Sequence, residues 1–433
     1  MDRLKLGVGR EIITPKVGSC LYGYAPDVIS TSVNDDLTLT AFYFVQGDEK
    51  ALMISASVCE MNTLFTEEII KLLSSTYDVP MSNIMICATH THSGPNVAGG
   101  DGWGDIDKEY CDDIFLPKIM SACKTAISST TFVTMASTFG ESLVGVNRRQ
   151  LRVDNAMDLG QNPLGCLNKK MTVVSFKDDD DNIVANIVHY GCHGTSAGQN
   201  TEITRDWIGI MIDALENESG APSAFFNGTM GDIGPRISNG KTVGDITYVR
   251  ELGEKAANDV IDIYRKPKEF YDVELKALEN SLKIPLKPRM TLSEAETLYE
   301  VYKGKNVNLD GLKRSCIEKV LELINSGVPE MNECEIKQSV LMLGDIVFTG
   351  IPFEMFSEIG FRIDEAVKEK NVLCVSNTNG FEGYFVTEGE ICLGGYEVEV
   401  FKYGRTQEFY DNADWYLVRQ MAEGIEKTVK SEV

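Results

Sequence analysis

Histidine is rare in this 433-residue chain, and its four copies occur as two close pairs. His90 and His92 are separated by one residue, and His189 and His193 are separated by three. Each pair follows an apolar, strand-like run, so rigid elements can bring imidazoles from distant parts of the sequence to one place. Neutral imidazoles held in this way are ligands for first-row metal ions. The pattern therefore predicts a metal-dependent hydrolase.

The two pairs differ in what they offer a metal ion. Alternate side chains of an extended segment point the same way, so His90 and His92 can face one cavity. His193 follows its strand and is the better candidate of the second pair. His189 still lies inside the apolar run, where a packed, hydrogen-bonded core histidine is the more ordinary interpretation. Because a catalytic zinc ion usually takes three protein ligands, carboxylates or tyrosines must complete the site.

Strand-like and helical segments alternate along the chain and predict an α/β protein. We expect mixed β-sheets with flanking helices in a single large catalytic domain, residues 1–433. Between about 288 and 330 the chain is rich in Lys and Glu and helical, a segment that either lies over the mouth of the site or simply packs on the domain. The predicted strands are Leu4 to Val8, Leu37 to Gln46, Ala51 to Ser57, Asn83 to Ala88, Phe132 to Phe139, Met171 to Phe176, Ile183 to His189, Ser223 to Phe226, Ser339 to Thr349 and Val372 to Ser376. The predicted helices are Thr63 to Ser75, Asp107 to Ser128 with Pro117 kinking or dividing it, Asp206 to Glu216, Val249 to Tyr264, Glu354 to Lys368 and Thr406 to Lys430.

Charge and composition exclude several classes of protein. The net charge of −24 repels phosphate backbones and anionic membranes, so nucleic acid is not an expected partner. No apolar run approaches the ~20 residues that span a bilayer, and the N-terminus lacks the basic and apolar regions of a secretion signal. The eleven cysteines are an odd number without C-x-x-C spacing, which argues against a disulfide framework or a zinc ribbon. A cytoplasmic location is expected.

A set of short motifs resembles the catalytic domain of the neutral (non-lysosomal) ceramidase family, in order from about residue 5 to about residue 400. The most specific is Thr-His-Thr-His-Ser-Gly-Pro at 89–95, and the others are individually weak but occur in the right order. They are Gly7-Val8-Gly9-Arg10 with Ile13-Thr14-Pro15, Gly23-Tyr24-Ala25, Asn147-Arg148, His193-Gly194-Thr195-Ser196, Gly231-Asp232, Ile351-Pro352-x-Glu354, and Tyr384 followed twelve residues later by Tyr396-Glu397.

The resemblance implies a zinc ion and assigns roles to seven residues. The implied ligands are His90, His193, Glu354 and Tyr384, and the residues implied to contact the reacting amide and its tetrahedral intermediate are His92, Arg148 and Tyr396. Without the resemblance, four of these residues would be given ordinary structural roles. Glu354 would be a surface residue at a helix start, Arg148 a surface arginine, and the two tyrosines packed aromatics.

Two departures from the family pattern concern the substrate and the length. Where the family has Gly-Asp-Val-Ser-Pro, with its serine at the substrate head group, this chain has Gly231-Asp232-Ile233-Gly234-Pro235. The chain also ends soon after the last motif, which leaves no room for the C-terminal immunoglobulin-like domain of the secreted enzymes. We therefore predict a zinc-dependent hydrolase that cleaves the C–N amide bond of a small N-acyl substrate and is not a true ceramidase.

Three alternatives remain open from the sequence. Cys192 or Cys87, each near a histidine, would serve a cysteine hydrolase. The same metal site would also suit ester or phosphoester hydrolysis. The third alternative is a protein that binds a metal ion or another ligand without turnover, which would need no residues beyond those that bind.

Overall fold

The computed structural model describes residues 2–154 and 156–430, so five residues of the predicted domain 1–433 lie outside the described part. The strands are β1 (Lys5–Ile12), β2 (Cys20–Leu21), β3 (Val28–Ile29), β4 (Ser32–Val33), β5 (Thr38–Gln46), β6 (Glu49–Ala56), β7 (Ile84–Ala88), β8 (Thr131–Phe132), β9 (Thr134–Glu141), β10 (Gly145–Leu151), β11 (Met157–Asn162), β12 (Lys170–Lys177), β13 (Ile183–Tyr190), β14 (Glu202–Ile203), β15 (Ser223–Asn227), β16 (Ile233–Pro235), β17 (Leu275–Pro285), β18 (Glu333–Leu343), β19 (Ile346–Gly350), β20 (Glu354–Met355), β21 (Asn371–Val375) and β22 (Tyr384–Phe385). The helices are α1 (Thr63–Tyr77), α2 (Lys108–Tyr110), α3 (Leu116–Ser128), α4 (Trp207–Ser219), α5 (Ile246–Tyr264), α6 (Leu292–Tyr302), α7 (Asn308–Asn325), α8 (Ser357–Ala366), α9 (Glu388–Ile391), α10 (Tyr396–Tyr403) and α11 (Ala413–Lys430).

Three sheets make up most of the fold, with strand orders β7-β6-β5-β1-β8, β15-β13-β12-β9 and β17-β18-β19-β21. Their strands pair antiparallel except for one parallel pair in each sheet, namely β6 with β7, β13 with β15 and β19 with β21. Parallel neighbours need a crossover connection, and the crossovers contain α1, α4 and α8. The structure thus contains three β-α-β units, which no repeat in the sequence indicates.

Aromatic side chains join the three sheets in the centre of the molecule. The Phe226 ring lies 6.3 Å from the Phe42 ring of the first sheet and 6.3 Å from the Phe348 ring of the third, and all three are fully buried. Large rings packed at these distances exclude water and stabilise the interface through both buried area and ring contacts. The carboxyl ends of the parallel strands meet there too, since the Ser376 amide donates to the carbonyl of Asn227 and the Asn379 amide to that of Ile86.

The observed architecture confirms the predicted fold class of mixed sheets with flanking helices, while several boundaries differ. The predicted strand Ser339 to Thr349 is two strands, because Gly344 adopts a left-handed φ of 63° and allows a tight turn. The last helix begins at Ala413, seven residues later than predicted from Thr406. The predicted helix Asp107 to Ser128 is divided by a π turn over residues 111–115, and Pro117 lies in the first turn of α3 just after it.

Glu354 does not begin a helix, contrary to the prediction. It lies in β20, where its amide donates to the Gly383 carbonyl and its backbone pairs in parallel with Tyr384. The following helix begins three residues later, at Ser357. The hydrogen bonds come from a segment thirty residues further along the chain, so local periodicity had no means of indicating them.

The segment between β17 and β18 is helical, as predicted, and consists of α6 and α7. A capping box formed by Thr291 and Glu294 begins α6. Two contacts join α7 to the loop that follows the first histidine pair: the Asn308 amide donates to the Gly102 carbonyl, and Lys319 forms a 2.7 Å ion pair with Asp101. Within residues 2–154 and 156–430, no helix has both the length and the apolar character needed to cross a bilayer.

His189 is a core histidine, and its burial gives a prediction about stability. Its Nε2 lies 2.7 Å from the Cys374 carbonyl, and burial lowers the pKa of its side chain to about 4. A histidine that titrates near pH 6.5 when unfolded takes up protons before the folded one does. Stability is therefore expected to fall as pH drops from 6.5 to 4, by up to about 1.4 kcal/mol per unit from this group.

Denaturant unfolding of the wild type and His189→Gln at pH 7 and pH 4.5 measures this contribution, since glutamine keeps an N–H donor but does not titrate. The wild type should lose more stability between the two pH values than the variant does. Equal losses would show that His189 is not the titrating group.

Candidate metal centre and active site

Residues from all three β-α-β units meet at the carboxyl ends of their parallel strands. His90 follows β7, His193 follows β13, and Glu354 lies just beyond β19. Each of these residues comes only a few positions after the end of its strand. Its side chain can therefore turn toward the centre while the backbone stays at this edge of the sheets. This is the position at which α/β folds place their sites.

The three side chains are close together and fully buried. The distance from Glu354 Oε2 is 3.0 Å to His193 Nε2 and 3.6 Å to His90 Nε2, and the ligand atoms of all three lie within 4.8 Å of one another. Neither His193 Nε2 nor Glu354 Oε2 has a hydrogen-bond partner in the described structure. Because buried polar atoms are almost always satisfied, two such atoms facing each other indicate a missing partner.

Hydrogen bonds on the far side of each ring fix which nitrogen faces the centre. His90 Nδ1 lies 2.8 Å from the carbonyl of Cys59, and His193 Nδ1 lies 3.0 Å and 2.9 Å from the carbonyls of Met230 and Ile233. A carbonyl only accepts, so each Nδ1 bears the hydrogen and each Nε2 keeps its lone pair. Metal-binding histidines are oriented in the same way.

The backbone at His90 is in the left-handed region, with a φ of 72°. The amides of Thr89 and His90 donate to the carbonyls of Ala56 and Val58, which extends the pairing of β7 with β6 up to the bend. Gly194 of the second histidine loop makes room for this bend, because a Cβ there would lie 2.9 Å from the His90 carbonyl oxygen. A non-glycine residue adopts this conformation only where its surroundings impose it, and such strain is typical of functional sites.

The electrostatics suit a divalent cation. Burial lowers the pKa of His90 and of His193, although Glu354 opposes the effect at His90. Both imidazoles are therefore neutral and keep the lone pairs that a metal ion requires. Burial raises the pKa of Glu354, and a cation at the centre would oppose that shift. Two neutral imidazoles and one carboxylate fit a divalent metal ion.

Tyr384 is placed beside Glu354 by the parallel pairing of β20 with β22. Its hydroxyl oxygen accepts a 2.9 Å hydrogen bond from Arg148 Nη2. Burial raises the pKa of Tyr384 well above its usual range, while the Arg148 charge lowers it. The phenol therefore lies at the centre and contacts the only arginine predicted for the site.

The three residues predicted to contact the substrate surround the centre. His92 Nε2 lies 3.1 Å from His90 Nε2, Arg148 is buried beside Tyr384, and the Tyr396 ring lies 5.8 Å from that of Tyr384. Gly23 packs against His92, since a Cβ at Gly23 would lie only 2.4 Å from Nδ1 of that imidazole. Any larger residue at position 23 would displace the His92 ring. All seven predicted site residues are thus brought together.

Two further acidic residues at the site have no role predicted from the sequence, although Glu397 lies in the Tyr396-Glu397 motif. Glu397 is buried and accepts hydrogen bonds from Arg148 Nε at 2.8 Å and from Arg149 Nη1 at 2.7 Å, which fixes the orientation of the Arg148 side chain. Glu60 is buried against Glu354, and both burial and Glu354 raise the pKa of its carboxyl group. Glu60 comes shortly after β6, the parallel neighbour of β7. The expectation that site residues follow parallel strands would therefore have identified it.

The cysteines nearest the site are poorly suited to nucleophilic catalysis. Burial raises the pKa of Cys192 well above its usual range, and burial raises that of Cys87 to about 12. Thiols with such values remain protonated near neutral pH and are weak nucleophiles. Cys59 lies 3.8 Å from His90 Nδ1, but burial also raises its pKa, and that nitrogen already bears a hydrogen.

These observations define a class of protein: a mixed α/β fold with a buried His-His-Glu centre that fits a divalent metal ion. Comparison with solved structures gives the particular fold. The crystal structure of neutral ceramidase from Pseudomonas aeruginosa matches with a TM-score of 0.76 and 18% identity, over 100% of this chain and 76% of that one. A ceramidase complexed with C2 matches with a TM-score of 0.73 and 17% identity, over 100% and 77%.

The chain therefore has a ceramidase-family fold, as the motif order predicted. A scan against protein-family models finds no match, and a search of curated proteins finds none either. The likeness is thus one of structure at low sequence identity, and the chain is divergent.

Proposed function

We propose that this protein is a zinc-dependent hydrolase that cleaves the C–N amide bond of a small N-acyl substrate. The observation that carries the proposal is the buried group of His90, His193 and Glu354, whose facing Nε2 and Oε2 atoms lack partners. The ceramidase fold of the two solved neighbours supports an amide hydrolase over other metal proteins. The proposed enzyme is one hydrolase domain, and its eleven free cysteines fit the reducing cytoplasm.

In this proposal His90, His193, Glu354 and Tyr384 hold the zinc ion. Zinc bound there would supply Lewis acidity and make a water molecule acidic enough to attack an amide carbonyl. Glu354 neutralises part of the cation charge, and the carbonyl oxygens behind the two imidazoles keep their Nε2 atoms turned inward.

The remaining site residues act on the substrate. Burial lowers the pKa of His92, and the neighbouring His193 and the Arg148 guanidinium lower it further, so the His92 imidazole is neutral and able to accept a proton. Arg148 is held by Glu397 and presents a guanidinium where the carbonyl oxygen gains negative charge. The Tyr396 hydroxyl is a second donor on the same side of the site. Removing a proton from the nucleophile and stabilising the oxyanion are the two tasks that amide hydrolysis requires.

The shape of the site supports a substrate smaller than ceramide. A cavity of about 360 Å³ adjoins the centre, at the small end of the usual range for ligand sites, and its wall includes Glu60, Asp101 and Glu382. Long alkyl chains would desolvate these carboxylates, of which Asp101 and Glu382 have cationic partners but Glu60 has none in the part of the chain that the structure describes. At position 234, a Cβ would lie 2.7 Å from the Thr242 Cβ, so the space for a serine side chain is filled by Thr242.

Metal analysis and a substrate panel test the proposal. We expect about one zinc ion per chain after purification or reconstitution. N-acyl amides should be hydrolysed with release of amine, a zinc chelator should stop the reaction, and added zinc should restore it. Absence of bound metal in both preparations would refute the site. Faster turnover of esters or phosphoesters than of every amide would refute the reaction, and turnover of ceramide as fast as the best small amide would refute the substrate.

A further inference from the structure

The cavity beside the metal centre contains one carboxylate whose role is unexplained by amide hydrolysis. The cavity reaches from His92, Glu354 and Tyr384 outward to α7, which contributes Leu312 and Lys319. Of the helical segment, α7 therefore lines this cavity. Glu60 lies on the inner wall and is only 7% exposed.

The other acidic residues of this cavity all have a cationic or imidazole partner. Asp101 forms a 2.7 Å ion pair with Lys319, Glu382 lies 3.9 Å from Arg405, and Glu354 faces the two histidines. Among the described residues, no lysine, arginine or histidine nitrogen lies within salt-bridge distance of Glu60. Its hydrogen-bond donor is the Tyr22 hydroxyl, at 3.2 Å.

A buried carboxylate without a counter-charge is costly unless a ligand provides one. The zinc ion of the proposed enzyme would offset the charge of Glu354, and a cationic ligand in the cavity would place its charge opposite Glu60.

Aromatic side chains complete the surroundings of Glu60. Tyr22, Trp103 and Tyr396 line the same cavity, and the Trp103 and Tyr396 rings lie 6.4 Å apart in an edge-to-face arrangement. Aromatic faces attract ammonium groups through the ring quadrupole. A carboxylate among aromatic rings is chemistry that recognises an ammonium ion and discriminates against a neutral alkyl chain.

We infer that Glu60 is a specificity residue that binds an ammonium group on the amine portion of the N-acyl substrate, a few bonds from the scissile amide. The substrate class is then a monoacylated diamine or a similar N-acyl compound with a free amine. The inference rests on the proposed amide hydrolase function and extends it to the identity of the leaving group.

The test compares two substrates that differ in charge alone. Wild type should hydrolyse N-hexanoyl-1,3-diaminopropane with a kcat/KM at least tenfold above that of its neutral isostere N-hexanoyl-butylamine. In Glu60→Gln this ratio should fall at least tenfold, while Glu60→Asp should retain part of it. Glu67→Gln is the matched control, because that carboxylate faces Lys337 and does not line this cavity, and its ratio should stay within twofold of wild type.

A binding measurement keeps the test independent of turnover and of the stability of the variants. Calorimetry near pH 7, where butylamine is an ammonium ion, should show that it binds the zinc-loaded wild type at least tenfold more tightly than its neutral counterpart butan-1-ol does. Equal affinities, or a substrate ratio near one in the wild type, would overturn the inference. So would loss of zinc from Glu60→Gln, since Glu60 would then support the metal. Failure of the wild type to hydrolyse any amide would instead refute the proposed function.

Discussion

Replacing His90 by glutamine is expected to abolish zinc binding, whereas the same replacement at His92 should leave the zinc in place and abolish turnover. The two imidazoles are close neighbours, with their Nε2 atoms 3.1 Å apart, so each variant is the matched control for the other. His90 Nε2 faces Glu354 and His193, and its Nδ1 is held by a backbone carbonyl. His92 lies outside this group of three and faces the cavity.

For His90→Gln we expect metal affinity to fall by more than about 100-fold, since even residues that only orient ligands are worth 10–100-fold. For His92→Gln, kcat should fall by about 10²–10⁴-fold, the usual contribution of a general base. Elemental analysis gives the zinc content, and the thermal shift on adding zinc reports binding without activity. Loss of zinc in both variants, or in neither, would contradict the division of roles.

Arg148→Lys is expected to lower kcat by about 10²–10³-fold with the zinc content unchanged, the cost typical of losing an oxyanion donor. Lysine keeps the charge but does not provide two donors that contact Glu397 and the Tyr384 hydroxyl together. Single-turnover kinetics with the best N-acyl substrate measures the effect, and the melting temperature shows whether the fold is retained.

The neighbouring Arg149 provides the control. It also donates to Glu397, at 2.7 Å, but its other partners are Glu390 and the Gly394 carbonyl, and it lies against the Phe356 ring, on the side of Glu397 away from Tyr384. Arg149→Lys should therefore change kcat by less than about tenfold. Equal losses in the two variants would mean that both arginines act only by holding Glu397, and that Arg148 does not contact the reacting group.

The histidines show how much of this site was predictable. Two of the proposed metal ligands come just after apolar strands, at the edge where α/β folds place their sites. Residue type and local pattern therefore predict the pair His90 and His92 together with His193, whereas the choice of His90 over His92 as ligand depends on the family resemblance. His189, inside its strand, is predicted to be a core residue from the same local pattern, and its hydrogen bond to Cys374 agrees.

Glu354, Tyr384 and Glu397 required more than local pattern. Glu354 and Tyr384 are adjacent because two-residue strands pair across thirty positions of sequence, and neither strand has a periodicity of its own. Only the order of the motifs indicated them. Glu397 is a helix residue in a sequence with many acidic residues, and only the burial of Arg148 and Arg149 shows that it is needed. The three β-α-β units could not be predicted either, because they share the same order of strand, helix and parallel strand but have no similarity in sequence.

The left-handed backbone at His90 lowers the stability of the fold, while the imidazole at the same residue serves the proposed function. Histidine in this conformation is less stable than glycine or asparagine would be, by an amount on the order of 1 kcal/mol. Selection for thermal stability alone would therefore favour glycine or asparagine at position 90, and either would remove the imidazole proposed to bind the metal ion. Under the proposed function, the imidazole of His90 is required at this position despite its φ of 72°. Engineering for stability should accordingly leave this turn unchanged and work on the outer strands.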